Sequence, residues 1–225
     1  MDAPAPHPVV TLDGTSGSGK STLAQRIAAA LGWSVLDTGT LYRALAWGAL
    51  QAGVEDLASS ADVLAAMPVT HFRPNAQGAS ILVIEGLADR AVLTRDAVSD
   101  AASRVAALPE VRQALLALQR DAALAGPIVA EGRDCGTVIF PQALVKFFVS
   151  ADLEARGLRR AAQLGTAAPD AAERLAQRDA RDQSRASAPL ERPQDAVDID
   201  TTSASVEACT AFAVAKIRER LARAR

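Results

Sequence analysis

The sequence predicts an α/β protein in which a parallel sheet is covered by helices on both faces. Short apolar runs typical of strands alternate along most of the chain with stretches of helical periodicity. A loop of glycines and small polar residues follows the first run and precedes the first helical stretch. The composition, 49% hydrophobic and 22% charged over 225 residues, is that of a folded chain with one sizeable core.

Five runs are predicted as strands of the sheet, at residues 9–13, 34–37, 128–130, 145–150 and 196–200. After the first run, apolar residues recur every four positions and Gly32 is placed to end the helix. After the last run, one helical stripe is formed by Val206, Thr210, Ala213, Ile217 and Leu221. Each predicted strand is therefore followed by material suited to cover the sheet.

Two regions depart from this alternation and are predicted as inserts within one domain rather than as separate domains. The first spans about residues 43–103 and contains VTHFRPNAQGASILVIEG, predicted as two antiparallel strands joined by a Pro/Asn/Gly turn. The second spans about residues 152–188 and is predicted as a pair of highly charged helices. The remaining core would comprise residues 1–42, 104–151 and 189–225.

Bulk properties exclude several classes of partner. The formal net charge of −2 and the pI near 5.7 give no overall attraction to nucleic acid or to an anionic membrane. The start MDAPAPHP is expected to be a short frayed tail, and no apolar run is long enough to span a bilayer. Cys135 and Cys209 stand far apart, which favours reduced thiols over a disulfide or a zinc site. We expect a cytoplasmic monomer.

The glycine-rich loop predicts where a triphosphate binds. Gly14-Thr-Ser-Gly-Ser-Gly-Lys20-Ser21 matches G-x-x-x-x-G-K-[ST], and it lies between a predicted strand and a predicted helix, the context that makes the match specific. Its backbone N–H groups would surround phosphate oxygens, Lys20 would reach the β and γ phosphates, and the Ser21 hydroxyl would ligate Mg²⁺. The loop does not identify the phosphoryl acceptor.

Four further stretches place polar residues where ligands of parallel sheets bind, at the carboxyl edge. LDTGTLYRAL carries Asp37, Thr38, Thr40 and Arg43. ASRVAALPEVRQALL carries Ser103 and Arg112, and IVAEGRDCGT carries Glu131, Arg133 and Asp134. The fourth stretch is RDARDQSRASAPL. These residues are the candidates for binding the acceptor.

The fourth stretch shows charge where a helix normally packs. Arg178, Arg181, Asp182 and Arg185 fall within about 100° of one another on a helical projection, the width of an ordinary apolar face. Either this stripe faces an anionic ligand or it is a solvated face with ion pairs four residues apart. Arginine makes up 21 of the 24 basic residues, which reflects either a compositional bias or the fit of guanidinium to phosphate.

Together GTSGSGKST, LDTGTLYR, AASRVAALPEVR, EGRDCGTVIFP and RDARDQSRASAPL resemble bacterial cytidylate kinase, in family order and over nearly the whole chain. The resemblance implies transfer of the ATP γ-phosphoryl group to CMP or dCMP, with Mg²⁺ accompanying ATP. It also implies the P-loop NTP hydrolase-type three-layer fold, with a five-stranded parallel sheet. The region at 43–103 would then be the NMP-binding insert, and that at 152–188 the helical lid.

The resemblance also assigns roles to residues. ATP binding is implied for the loop and one lid residue, namely Gly14, Thr15, Ser16, Gly17, Ser18, Gly19, Lys20, Ser21, Thr22 and Arg159. CMP binding is implied for Thr38, Arg43, Ser103, Arg112, Arg133, Asp134, Arg178, Asp182 and Arg185. Within that set, Ser103, Arg112 and Asp134 resemble the pyrimidine readers, and Arg178 with Asp182 resembles the pair near the sugar. The implied catalytic residues are Lys20, Arg133 and Arg185.

Some alternatives stay open. Thr15, Glu131 and Cys135 depart from residues common in the family, although each is compatible with the same backbone role. The carboxylate that assists Mg²⁺ through water is Asp13, Asp37 or Glu131. A P-loop kinase for another acceptor, such as UMP, and a nucleotide-binding regulatory module are the rival functions. A GTPase switch would be expected to carry N-K-x-D, which the sequence lacks.

Overall fold

The computed structural model of the protein describes residues 6–74 and 80–224. The strands are β1 (Val9–Gly14), β2 (Ser34–Asp37), β3 (Thr70–Pro74), β4 (Ser80–Ile84), β5 (Ile128–Gly132), β6 (Val145–Ser150) and β7 (Val197–Asp200). The helices are α1 (Lys20–Leu31), α2 (Thr38–Gln51), α3 (Ser60–Ala65), α4 (Asp96–Val105), α5 (Pro109–Asp121), α6 (Leu153–Leu164), α7 (Ala168–Ser184) and α8 (Val206–Arg223). A 3₁₀ helix at Arg90–Thr94 and a π-helical turn at Cys135–Ile139 complete the elements.

Five strands form one parallel sheet in the order β2–β5–β1–β6–β7, which confirms the predicted sheet. The central strands β1 and β5 are buried along their whole length, because both of their faces are covered. β1 and β5 extend to Gly14 and Gly132, one and two residues beyond the predicted runs. The polar residues that follow these two strands therefore meet at one edge of the sheet.

The sheet separates two apolar cores, and neighbouring residues of one strand belong to different cores. Val9 packs in the core beneath α2, α4 and α5, whereas Val10 and Leu12 pack in the core beneath α1 and α8. In that second core Ile217, on the stripe predicted from the sequence, is fully buried. This arrangement confirms the three-layer α/β fold.

Local chemistry fixes the helices that lead into the site. Gly32 has φ 70° and donates its N–H to Ala28 O, so it ends α1 as the sequence predicts. Asp37 begins α2 by accepting the N–H of Thr40 in its carboxylate. Both helices therefore start or stop at residues that sequence alone identifies.

The two departures from alternation take the predicted local forms. β3 and β4 pair in antiparallel fashion, and the predicted turn between them lies outside the described residues. α6 and α7 pack so closely that a Cβ added at Gly157 would lie 2.8 Å from the Ala172 Cβ. Among the described residues, no helix is both long and apolar enough to cross a membrane. Most of the predicted N-terminal tail lies outside the described residues.

Candidate active site

A cavity of about 470 Å³ lies at the carboxyl ends of β1, β2 and β5, beneath α4, α6 and α7. Its lining holds eight basic side chains and four carboxylates, so the site carries a formal excess of four positive charges in a chain whose net charge is −2. The basic residues are Lys20, Arg43, Arg112, Arg133, Arg159, Arg160, Arg178 and Arg185, and the acidic ones are Asp37, Glu131, Asp134 and Asp182. Such a cavity is suited to polyanions.

The phosphate loop forms one wall of this cavity. Gly17 and Gly19 have φ of 73° and 83°, in the left-handed region that favours glycine. A Cβ at Gly14 would lie 2.0 Å from Val149 O, so this glycine permits β1 and β6 to approach. The loop residues that reach the cavity are Ser16, Gly17, Gly19, Lys20, Ser21 and Thr22.

Three of the residues assigned to ATP binding do not line the cavity, namely Gly14, Thr15 and Ser18. Thr15 contributes through its carbonyl oxygen, which accepts the Lys20 ammonium at 3.0 Å and the Ser18 hydroxyl at 2.9 Å. The assignment of these three residues to ATP binding stays a prediction, because this loop would bind phosphate through backbone N–H groups and not through side chains.

Lys20 is buried at the start of α1, and its charge is held among other cations. Burial and the neighbouring Arg133 lower the pKa of its ammonium to about 8. A negative phosphate placed here would relieve both effects, since it would supply the missing counter-charge.

Oxygen ligands for a divalent cation gather beside the loop. The Ser21 hydroxyl donates to Glu131 Oε1 at 2.6 Å. Burial, and then repulsion by Asp37, raise the pKa of the Glu131 carboxyl to about 7. A hydroxyl with two mutually repelling carboxylates is a donor set that fits Mg²⁺. Among the described residues, no group of three or more His, Cys, Asp or Glu side chains could hold a metal ion.

Asp13 has a different role from the one considered in the sequence. It is fully buried, and its two oxygens accept the N–H groups of Cys135 at 2.8 Å and Gly136 at 2.7 Å. Burial raises the pKa of this carboxyl to about 6. Asp13 thus anchors the π-helical turn after β5, and it does not line the cavity.

Asp37 and Arg43 form the entrance to the acceptor side. Arg43 Nη2 donates to Asp37 Oδ2 at 2.7 Å, and Thr40 Oγ1 donates to the same oxygen at 2.7 Å. These partners outweigh burial and lower the pKa of the Asp37 carboxyl. Thr38 also lines the cavity, but its hydroxyl donates to Glu131 O at 2.9 Å and so joins α2 to β5.

The three predicted pyrimidine readers lie together, as the sequence suggests. Arg112 pairs with Asp134, and both side chains are buried. The Arg112 guanidinium also lies over the Tyr42 ring at 5.5 Å and donates to Ala106 O at 3.1 Å. Ser103 lines the same cavity, and its buried hydroxyl has no hydrogen-bond partner in the part of the chain that the structure describes. A ligand would satisfy that hydroxyl.

Asp182 joins the predicted catalytic arginines. Arg133 Nε donates to Asp182 Oδ2 at 2.6 Å, and Arg185 pairs with the other oxygen of the same carboxylate. Arg133 Nη2 also donates to the Ser16 hydroxyl at 2.6 Å, which ties this group to the phosphate loop. The two guanidinium groups are thereby held on the boundary between the loop and the acceptor side.

Several guanidinium nitrogens in the cavity have no hydrogen-bond partner among residues 6–74 and 80–224: the Nε atoms of Arg43, Arg178 and Arg185. Burial and the nearby Arg133 lower the pKa of Arg178 to about 10. A bound anion would accept hydrogen bonds from these unpaired donors and would raise the pKa of Arg178 toward its ordinary value. The charged stripe therefore lines the cavity at three of its four positions, Arg178, Asp182 and Arg185.

The fourth position of the stripe lies elsewhere. Arg181 pairs with Asp100 of α4 at 2.6 Å, and both side chains are largely exposed. Arg181 does not line this cavity, so its contacts agree with the ion-pair interpretation of the stripe at this one position. Although Arg181 falls within about 100° of the other three residues on the helical projection, α7 directs its side chain toward α4.

Three arginines of α6 make different contacts. Arg156 is buried, pairs with Asp179 and donates to Ser16 O at 2.9 Å. Arg160 lines the cavity and pairs with Asp96 of α4 at 2.8 Å. Arg159, the one assigned to ATP, lines the cavity and donates to Thr201 O at 2.5 Å.

Sequence reasoning missed Asp179 and Thr201. The Ser16 N–H donates to Asp179 Oδ1 at 2.9 Å, so a lid carboxylate holds the start of the phosphate loop. Thr201 Oγ1 donates to Ser18 O at 2.8 Å. The partners are 163 and 183 residues apart, and no local pattern indicates such pairs.

Comparison with known proteins gives a consistent result. The family model described as cytidylate kinase matches residues 10–219. The chain is 44% identical over 210 residues to the cytidylate kinase of Aeromonas hydrophila, covering 91% of each chain. It is 40% identical over 222 residues to that of Coxiella burnetii, covering 96% of this chain and 94% of the relative. The matched region includes every charged residue that lines the cavity.

Proposed function

Because the chain belongs to the cytidylate kinase family, we propose that it transfers the γ-phosphoryl group of ATP to CMP or dCMP, giving ADP and CDP or dCDP. The observation that carries this proposal is the partnerless Ser103 hydroxyl in the same cavity as the phosphate loop and the unpaired guanidinium nitrogens. A hydroxyl and several cations beside a triphosphate-binding loop are better suited to a nucleoside monophosphate as the phosphoryl acceptor than to water.

On the donor side, the loop backbone and Lys20 would hold the β and γ phosphates of ATP. Ser21, with Glu131 and Asp37 close by, would hold Mg²⁺, which supplies charge neutralisation of the triphosphate when bound. Lys20 follows the charge as it moves toward the acceptor, so its largest contribution belongs to the transition state.

On the acceptor side, Arg43, Arg133 and Arg185 would bind the phosphate of CMP and the transferring group. Arg133 is the best placed of the three, because it contacts both the phosphate-loop Ser16 and Asp182. Phosphoryl transfer requires alignment and charge stabilisation more than a strong base. The acceptor phosphate is already an anion, so no catalytic histidine is needed.

Asp134, with Arg112 and Ser103, would read the base. The carboxylate of Asp134 can accept the N4 amine of cytosine, whereas uracil presents the O4 acceptor at that point. Arg112 holds the carboxylate in place by an ion pair and can also donate to the base. Arg178 and Asp182 would contact the sugar.

The two inserted regions would then act as an NMP-binding insert, about residues 43–103, and a lid, about residues 152–188. Closure of α6 and α7 over the cavity would exclude water as an acceptor. One chain supplies both sides of the cavity, which supports a working monomer. The acidic balance of the chain supports a cytoplasmic enzyme without a nucleic-acid or membrane partner.

A coupled assay of ADP formation from MgATP tests the proposal directly. With CMP or dCMP, ADP should appear at the rate of CDP or dCDP formation, and with no acceptor or with cytidine it should be near background. A faster reaction with another monophosphate would move the enzyme to a different acceptor. ADP formation that is independent of acceptor would indicate an ATPase or a regulatory module.

A further inference from the structure

Thr201 lies beside the phosphate loop, although it is 183 residues away in sequence from its loop partner. It is the first residue after β7 and is 9% exposed. Its hydroxyl donates to Ser18 O at 2.8 Å, and its own N–H donates to Ser150 O at the end of β6. Thr201 is therefore fixed to the central sheet and holds the loop from outside the cavity.

The hydroxyl engages a peptide group whose other end faces the ligand. In a trans peptide the C=O and the N–H point in opposite directions. Because Ser18 O is held outward by Thr201, the N–H of the following Gly19 is directed away from Thr201. Gly19 lies in the cavity wall at φ 83°, a left-handed conformation that glycine adopts without strain, and glycine restricts the backbone less than other residues do. The bond to Ser18 O therefore helps to keep the N–H turned toward a phosphate.

The same threonine accepts two hydrogen bonds from Arg159 of α6, in the proposed lid. Arg159 Nη1 donates to Thr201 Oγ1 at 3.1 Å, and Arg159 Nη2 donates to Thr201 O at 2.5 Å. The hydroxyl accepts from Arg159 and donates its single proton to Ser18 O at 2.8 Å, the nearer of two carbonyl acceptors, since Ser150 O lies at 3.2 Å. The lid contact and the loop contact therefore do not compete for that proton. α6 and the phosphate loop are thus joined through one hydroxyl.

We propose that Thr201 is a positioning residue for nucleotide binding, whose hydroxyl orients the Ser18–Gly19 peptide toward the phosphates of ATP and links that peptide to Arg159 of the lid. The role rests on the proposed use of the loop for a nucleotide. It acts on the donor nucleotide and leaves the acceptor side unchanged, because its contacts all lie on the loop, β6 and α6.

The substitution Thr201→Val removes the hydroxyl and keeps the shape of the side chain, while Thr201→Ser keeps the hydroxyl. Thr210→Val is the matched control, since Thr210 is a partly buried threonine of α8 that bonds only to its own helix at Val206 O. Binding of MgADP would be measured by calorimetry without any acceptor, together with KM for ATP and for CMP and the melting temperature.

T201V should weaken MgADP binding about fivefold to tenfold, the range expected for one net hydrogen bond. KM for ATP should rise in parallel, while KM for CMP should stay within about twofold of wild type. T201S should restore MgADP binding to within about threefold, and T210V should bind like wild type.

Three outcomes would overturn the proposal: unchanged MgADP binding in T201V, an equal loss for ADP and CMP, or a loss in T201S as large as in T201V. If T201V does not fold, T201C replaces it, because a thiol is a weak donor. Normal MgADP binding in T201C would then count against the proposal. Lack of CMP turnover by wild type would refute the proposed function and would leave the MgADP comparison intact.

Discussion

The phosphate loop and the acceptor side of the cavity bind anions by different means. The loop presents backbone N–H groups, and its conformation is set by glycines and by short-range bonds such as Lys20 to Thr15 O. The acceptor side presents guanidinium groups from α2, α5, α7 and the segment after β5, each aligned by a carboxylate. The loop would therefore bind phosphate through backbone N–H groups and one ammonium, whereas the acceptor side would bind it through several guanidinium groups that carboxylates hold in place.

The difference has a consequence for substitutions. The loop has a single charged side chain, so nearly all of its side-chain chemistry is lost with one residue. The acceptor side shares its charge among several arginines, so single changes there should alter selectivity and affinity in smaller steps.

Lys20→Ala should cause the largest loss. Removing the ammonium that follows the γ-phosphoryl group should lower kcat by about a hundredfold to a thousandfold, as for other preorganised transition-state contacts. The fold should survive, because two bonds still hold the loop: Asp179 accepts the Ser16 N–H, and Thr201 donates to Ser18 O. Steady-state kinetics with a melting curve measure both, and Lys216→Ala on exposed α8 is the control. Near-normal kcat in K20A would contradict the proposed role of the Lys20 ammonium in stabilising the transition state.

Asp134→Asn should narrow the preference for CMP over UMP. The wild-type enzyme should favour CMP by at least about tenfold in kcat/KM, since one mismatched buried acceptor costs about 1 to 3 kcal/mol. The asparagine amide can donate to O4 of uracil, so CMP activity should fall more than UMP activity. The ratio of the two kcat/KM values is the measurement, with D195N at an exposed ion pair as control. A constant ratio with both values lowered would make Asp134 structural.

Glu131→Gln should stabilise the ligand-free protein at pH 8 and weaken its use of Mg²⁺. The pKa of Glu131 is raised from 4.5 to about 7, so the folded state keeps the proton longer than the unfolded state does. The free energy of unfolding of wild type therefore falls as pH rises through this range, and glutamine escapes that loss. A gain of 1 kcal/mol is about 2 to 4 °C in melting temperature for a protein of this size.

The pH dependence distinguishes charge from packing in E131Q. The gain in melting temperature should be present at pH 8 and nearly absent at pH 5, where the folded wild-type carboxyl is protonated. Glu207→Gln, at an exposed pair with Arg26, should show no such change. An equal gain at both pH values would mean that glutamine merely packs better.

Arg181→Ala should have the smallest effect on catalysis, in contrast to Arg178→Ala one turn away. Arg181 forms an exposed ion pair with Asp100, a contact worth no more than about 1 kcal/mol. Its kcat/KM for CMP should stay within about twofold of wild type, whereas R178A should lose about tenfold because its guanidinium lies in the cavity. Equal losses of kcat/KM for CMP in R181A and R178A would indicate that Arg181 also contacts the ligand.

The sheet, the loop and most of the cavity lining can be predicted from the sequence. The five strands are short runs rich in apolar residues that alternate along the chain with helical stretches, and this alternation identifies a parallel sheet. The loop is identified because glycine spacing, Lys20 and the helix start lie within eight residues. The polar strand ends could be grouped because the carboxyl ends of parallel strands meet at one edge.

Only the tertiary structure decided which charges pair. Asp13 and Glu131 are both acidic residues near strand ends, yet one accepts two backbone N–H groups and the other accepts the Ser21 hydroxyl. Arg178 and Arg181 share a helix face, but only one of them enters the cavity. Thr201 and Asp179 reach the loop across more than 160 residues. Periodicity reports the direction of a side chain on its own element, whereas its partner depends on how distant elements pack.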